Sequence, residues 1–369
     1  MLSRHLPISR RHCATAATLL IAGCAGSALT AQSADHQNVV VVRVIDDATR
    51  QPLVNAEIIT LGTQQNSFTN DHGEARLLRP PEGSLHVRVR EIGFEFADRD
   101  IPHAPGTAQI ADTIVVMLQP VSYKLPKVTT EATNSCGATT DSLSESLSAL
   151  VLSQLRLSAE RYEAFRRAYP FTVRIERRTV RRDYYGEMKA QPFEALGTDS
   201  EKWGDPYVPG HVLSEDSHGG FSVPILFVSA LADPVFWKHH CFVARGVELL
   251  DGARVIRLDF APTKETRSPD WEGSAFVDSA TSILRRVDFD LTTLARHDVL
   301  QALVGYTIFR SPAASITMPD STVAMWWTGT PVKAGQLQPA DGVQLIRVQQ
   351  LVYRKSAPAD AEPLLRAQP

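Results

Sequence analysis

The stretch Val39-Val40-Val41-Val42-Arg43-Val44-Ile45-Asp46 decides the fold. So β-branched a run has no helical period and reads as a strand buried on both faces or nearly so. Turn chemistry and more strand come next along the chain. Asp46 to Pro52 turns the chain, and Ile58 and Ile59 begin a second strand that ends at Gly62. Asn70-Asp71-His72-Gly73 is a second turn, because Asn, Asp and Gly tolerate positive φ. Leu85, Val87 and Val89 alternate with His86, Arg88 and Arg90, the period of two of a strand with one wet face. Ile114, Val116 and Leu118 close the series, and short strands between turns predict a small antiparallel β-sandwich.

Beyond it the pattern changes. Residues 121–141 are Thr-rich, polar and unperiodic, which marks a linker. Ser142 with Glu145 forms a capping box, and Leu143, Leu147, Leu150, Val151, Leu155, Tyr162 and Phe165 recur at helical spacing until Pro170. Strand patterns then run over 171–182, 241–250, 253–260, 273–277, 283–291, 300–309, 322–328 and 343–353, with Asp251-Gly252 as a hairpin turn of the primed type. The expectation is a mainly β protein: a sandwich over 38–120, a linker, then one amphipathic helix and a larger antiparallel β-rich (α+β) domain over 142–355. A disordered tail is expected over 356–369.

The order Val44-x-Asp46, Thr49, Pro52-Leu53-x-x-Ala56, Thr69-x-x-x-Gly73, Leu85-x-Val87 and Gly93-Phe94 resembles the carboxypeptidase regulatory-like family, a transthyretin-like β-sandwich. The resemblance covers about residues 38–120 and implies a non-catalytic accessory module of envelope proteins. A fainter similarity, over Ala275-Phe276-Val277-Asp278 to Ile283-Leu284-Arg285-Arg286, is to the half-barrels of periplasmic lipoprotein carriers. Related sandwiches carry a Lys-Asn cross-link, which is excluded here because residues 38–120 contain no Lys.

Export is read from the N-terminus. Arg4, Arg10 and Arg11 precede an apolar run from Ala14 to Ala25 that is too short to span a bilayer comfortably, as a secretory signal over 1–31 requires. Two readings of its end stay open. Ile21-Ala22-Gly23-Cys24 resembles a bacterial lipobox, which makes Cys24 a candidate lipidation site; ordinary cleavage near Ala28 or Ala31 removes Cys24 altogether. In an oxidising compartment the two remaining cysteines, Cys136 and Cys241, are expected to form a disulfide. The chain is therefore expected in the periplasm or at the outer membrane, with the membrane reached only through the lipid anchor.

Composition and motifs limit the chemistry. With 43% hydrophobic residues, 21% charged residues and a net charge of −3, the 369-residue chain has material for more than one core and no charge excess for nucleic acid. No His-Glu-x-x-His, Gly-x-Ser-x-Gly, phosphate-binding loop or dinucleotide fingerprint occurs. His239-His240-Cys241 is an improbable metal set, because adjacent residues point in different directions. Asp288 and Asp290 share a strand face but alternate with Val287, Phe289 and Leu291, the pattern of a wet face. Trp237 and the pair Trp326-Trp327 are candidate sugar-stacking groups.

One charged run stands out. Between Arg156 and Arg182 lie nine arginines against three acids, and Arg166, Arg167, Arg174, Arg177, Arg178, Arg181 and Arg182 form a candidate basic patch for phosphate-bearing lipid or an acidic partner. Solvated faces held by local pairs are the competing reading. The sequence thus points to a non-enzymatic envelope protein without cofactor or metal, acting as a binding or scaffolding module toward an envelope protein, glycan or lipid. A lipid or lipoprotein carrier is the alternative, distinguished by an apolar pocket of several hundred cubic ångströms.

Overall fold

A computed structural model describes residues 39–63, 65–80, 82–102, 113–122, 142–183, 185–204, 206–215, 221–222, 225–263, 268–292, 294, 300–312, 316–328 and 339–354. The expected signal segment with Cys24, most of the expected linker with Cys136, and residues 355–369 lie outside them.

The N-terminal unit contains β1 (Val39–Asp46), β2 (Glu57–Thr60), β3 (Gln65–Phe68), β4 (Glu74–Leu78), β5 (Leu85–Arg90), β6 (Ala97–Ile101) and β7 (Thr113–Leu118). Sheet β4-β1-β7 packs on sheet β3-β2-β5-β6 through Val40, Val42, Val44, Ile58, Val87, Val89, Val116 and Leu118. Two expectations are corrected. First, β1 is buried on one face only: Val40, Val42 and Val44 are inside, whereas Arg43 on the other face is exposed. Second, the pairing is not wholly antiparallel. The chain crosses between sheets from β6 to β7, and β7 joins β1 in parallel, with Val44 opposite Val116.

The family-like motif residues form one hydrogen-bonded knot. The Val44 amide donates to Gly73 O (2.8 Å), the Leu53 amide to Val44 O (2.9 Å), and Thr69 Oγ1 to Leu53 O (2.5 Å). Gly73 has φ +72°, and a Cβ there would lie 2.7 Å from Val44 O and 2.9 Å from Pro52 Cβ, so only glycine fits without displacement.

The second unit opens with α1 (Ser142–Ala168) and continues through β8 (Phe171–Arg182), β9 (Met188–Ala190), β10 (Glu194–Asp199), the small pair β11 (Ser214–Glu215) and β12 (Phe221–Ser222), α2 (Val228–Leu231) and α3 (Pro234–His239). Seven long strands complete it: β13 (His240–Leu250), β14 (Ala253–Pro262), β15 (Trp271–Asp278), β16 (Leu284–Leu291), β17 (Leu300–Arg310), β18 (Met318–Thr328) and β19 (Gly342–Tyr353). They form an open antiparallel sheet in the order β10-β8-β19-β18-β17-β16-β15-β14-β13, with β9 added to β8. Asp251 and Gly252 both have positive φ, 51° and 81°, as the primed turn between β13 and β14 requires.

Helix α1 covers one side of this sheet. Leu147, Val151 and Leu155 enter a core with Ile256, Leu258, Trp271, Val287, Phe289 and Leu303, and Tyr162 and Phe165 enter another with Phe171, Val173, Met318, Val348 and Leu351. Two serines at the start of α1 also serve the edge strand β13. Ser144 Oγ donates to Ala244 O and the Ala244 amide donates to Ser148 Oγ, each at 2.9 Å. The helix thus satisfies backbone groups that an edge strand otherwise offers to other chains.

A polar stripe on α1 holds the sandwich. Arg161 is 1% exposed; its Nη1 lies 2.7 Å from Glu91 Oε2 and its Nη2 donates to Asn55 O. The Gly93 amide donates to Gln154 Oε1 (2.9 Å), and Arg90 bridges Glu57 and Glu160. Arg161 is one of the nine arginines of the charged run, yet it lies inside. Removing one partner of a buried pair strands the other charge, so Arg161→Ala is expected to lower unfolding stability by about 3–5 kcal/mol. The double variant Arg161→Met/Glu91→Met, with no stranded charge, should recover much of the loss in chemical denaturation.

Candidate functional site

The side of the large sheet turned away from the helices is built from the alternate residues of each strand. Its rows are set by register. Val243 faces Asp259, Asp259 faces Ser274, and Ser274 faces Asp288; two residues along, Glu272 faces Asp290. Here lies a cleft of about 210 Å³, lined chiefly by Cys241, Arg245, Arg257, Asp259, Glu272 and Asp290.

The charges in this cleft are unevenly matched. Arg245 Nε and Arg257 Nε both donate to Asp259, each at 2.7 Å, and Ser274 Oγ donates to it at the same distance. Burial pushes the Asp259 carboxyl up, but these three donors outweigh it and hold it below the usual carboxylate range. Glu272 and Asp290 differ. Neither meets a cation among the described residues, although they stand directly opposite each other on neighbouring strands, where like charges destabilise. Burial first, and Glu272 second, push Asp290 up to about 6.

The wet-face reading of Asp288 and Asp290 therefore divides. Asp288 pairs with Arg286 (2.5 Å), while Asp290 turns into the cleft. Cys241 is disulfide-bonded and lines the cleft; Cys136 lies outside the described residues. His240 points the other way, fully buried, with Nδ1 3.0 Å from Phe236 O and Nε2 2.9 Å from Trp271 O. Burial holds its ring below the ordinary histidine value against the pull of Asp270. Among the described residues no group of three or more His, Cys, Asp and Glu is placed to hold a metal.

Four of the seven arginines of the candidate basic patch make ion pairs among the described residues. Arg166 meets Glu163, Arg177 meets Glu194 (3.2 Å), Arg178 meets Glu176 and Arg182 meets Asp341 (3.1 Å). Arg167 donates to Glu163 O, while Arg174 and Arg181 carry no ion pair among the described residues. Trp237 Nε1 donates to Leu231 O, and Trp326 packs on the helix-side core.

Sequence reasoning passed over Glu272, Arg245, Arg257, Asp259 and Ser274. The Asp251-Gly252 turn sets Gly246 opposite Arg257, but Val243 comes opposite Asp259 only through the bulge at Ala244/Gly246, and the partner of Glu272 depends on the β15/β16 register.

The sequence matches no protein-family model and no curated protein. Among solved structures, a DUF1329 family protein from Desulfovibrio piger ATCC 29098 aligns with 55% of this chain and 93% of its own, at 11% identity and a TM-score of 0.27.

Asp290 provides a pH test. Its folded-state value lies above the unfolded one, so the folded state holds the proton more tightly, and the associated stability is lost as pH rises from about 4 through 6. Asp290→Asn should therefore gain stability over the parent across that window, by up to about 3 kcal/mol at pH 7, and show no gain near pH 4. Paired denaturation curves at the two pH values check this.

Proposed function

We propose that this chain is a non-catalytic, exported bacterial cell-envelope protein that works by binding. In this reading the sandwich is a carboxypeptidase regulatory-like accessory module, and the ligand is met on the open face of the large sheet. The observation that carries it is the contrast between the sheet's two sides. The helix side is filled by close-packed apolar residues, whereas the far side carries a small charged cleft with a destabilising carboxylate pair. Unfavourable charge retained at a cleft is a mark of binding sites.

The convergence of Val44, Pro52, Leu53, Thr69 and Gly73 into one knot supports the accessory-module reading, since these residues carry the family resemblance. For the carrier alternative, an acyl chain needs an apolar cavity larger than the 210 Å³ charged cleft. Export rests on the N-terminal pattern of arginines and apolar residues.

Two assays test this reading on the purified mature protein. A fluorescent acyl-chain probe should show no saturable uptake, and C-terminal peptidase substrates should remain intact with or without zinc. Saturable uptake reversed by phospholipid would put the carrier in its place. Metal-dependent release of C-terminal residues, abolished by chelation, would make the protein an enzyme.

A further inference from the structure

The cleft between β13 and β16 has two poles. At one, Arg245 and Arg257 each use only Nε on Asp259, and their terminal nitrogens make no hydrogen bond among the described residues. At the other, Glu272 and Asp290 face each other without a cation among the described residues. Along β15 the row of Asp259, at Ser274, is two residues or about 7 Å of strand from Glu272, and the row of Arg257, at Phe276, is four residues from it. Guanidinium groups with free planar edges suit phosphate or carboxylate, and a half-buried carboxylate pair suits an ammonium ion.

We propose that this cleft holds a small zwitterion of the phosphoethanolamine type, its ammonium against Glu272 and Asp290 and its phosphate against Arg245 and Arg257. The inference rests on the binding reading above and names its ligand class. Three features select this chemistry. The volume of about 210 Å³ lies below the roughly 300–1,000 Å³ of sites for drug-sized ligands, so a headgroup-sized molecule fits and an acyl chain does not. The charges across the poles are opposite in sign, which excludes a simple anion or a simple cation as the best ligand. Their separation favours charges held apart by a spacer over an α-amino acid, whose charges share one carbon.

The ligand also resolves the conflict within the site. An ammonium between Glu272 and Asp290 replaces like-charge repulsion with two attractions. Burial and Glu272 raise Asp290, so protonation competes with the ammonium and affinity should fall as pH drops below about 6.

The full mature protein is titrated calorimetrically with O-phosphoethanolamine, with ethanolamine and with inorganic phosphate at pH 7.5. Phosphoethanolamine is expected to bind at least tenfold tighter than either half. Glu272→Gln/Asp290→Asn and, separately, Arg245→Gln should each weaken it at least tenfold. Val243→Phe, which fills the cleft without touching a charge, should do the same in a folded protein. Equal affinity for phosphoethanolamine and either half, or unchanged affinity in the variants, overturns the proposal. Vesicles then separate the sources: sedimentation with phosphatidylethanolamine but not phosphatidylglycerol supports a lipid headgroup, and binding of the free compound alone supports a soluble ligand. Failure here leaves the binding reading standing, because the acyl-uptake and peptidase assays judge that reading independently.

Discussion

Everything in this molecule turns on a helix that must bury two unlike faces at once. The apolar stripe of α1 lies on the large sheet, and its polar stripe, Gln154 with Arg161, lies on the sandwich. A guanidinium at 1% exposure is tolerable only where acceptors are already in place, and Glu91 and Asn55 O supply them from the sandwich side. The sandwich loops therefore cannot drift: Gly93, at φ +84°, brings its backbone against Gln154 on one side and close to Thr281 O on the other. The sandwich is thereby bonded to the helix and lies close to the β15/β16 turn.

With one side of the sheet consumed by α1, α2 and α3, the opposite side carries the chemistry. The alternation of each strand enforces the division. On β14, Ile256, Leu258 and Phe260 go inward while Arg257 and Asp259 go outward; on β16, Val287 and Phe289 go inward while Asp288 and Asp290 go outward. A one-residue slip of any of these strands would turn its own carboxylate, Asp259, Glu272 or Asp290, toward the core. The carboxylates thus sit where the hydrophobic pattern compels them; Asp288 has Arg286 beside it and Ser274 opposite, whereas Asp290 lines the cleft with Glu272 opposite.

Much of the architecture was legible from the sequence because it rests on local rules. The strand beginning at Phe171 was readable from β-branched alternation, and the β13/β14 hairpin from Asp251-Gly252. The parallel partnership of β1 with β7 was not, since it depends on a crossing between sheets that leaves no local mark. Arginine content was a poor guide to surface. Arg161 and Arg166 are five residues apart on one helix, yet the first is sealed between two units while the second pairs with Glu163 on its own helix. The cleft was harder still, because Glu272 and Asp290 become neighbours only through the fold of β15 on β16.

The edge of the sheet shows the same logic applied to specificity. An eleven-residue strand such as β13 is a template for a foreign strand unless its outward backbone groups are occupied. Ser144 and Ser148, one helical turn apart, occupy the carbonyl and amide of Ala244. Next to that contact the β13/β14 register shifts at Ala244/Gly246, and a bulge of this kind bends an edge away from further pairing. The bulge also re-aims the strand, and the residue within it is Arg245, which reaches Asp259 in the cleft. Edge protection and the aim of a cleft residue therefore come from one local irregularity, so removing Gly246 from its φ of 97° would disturb both.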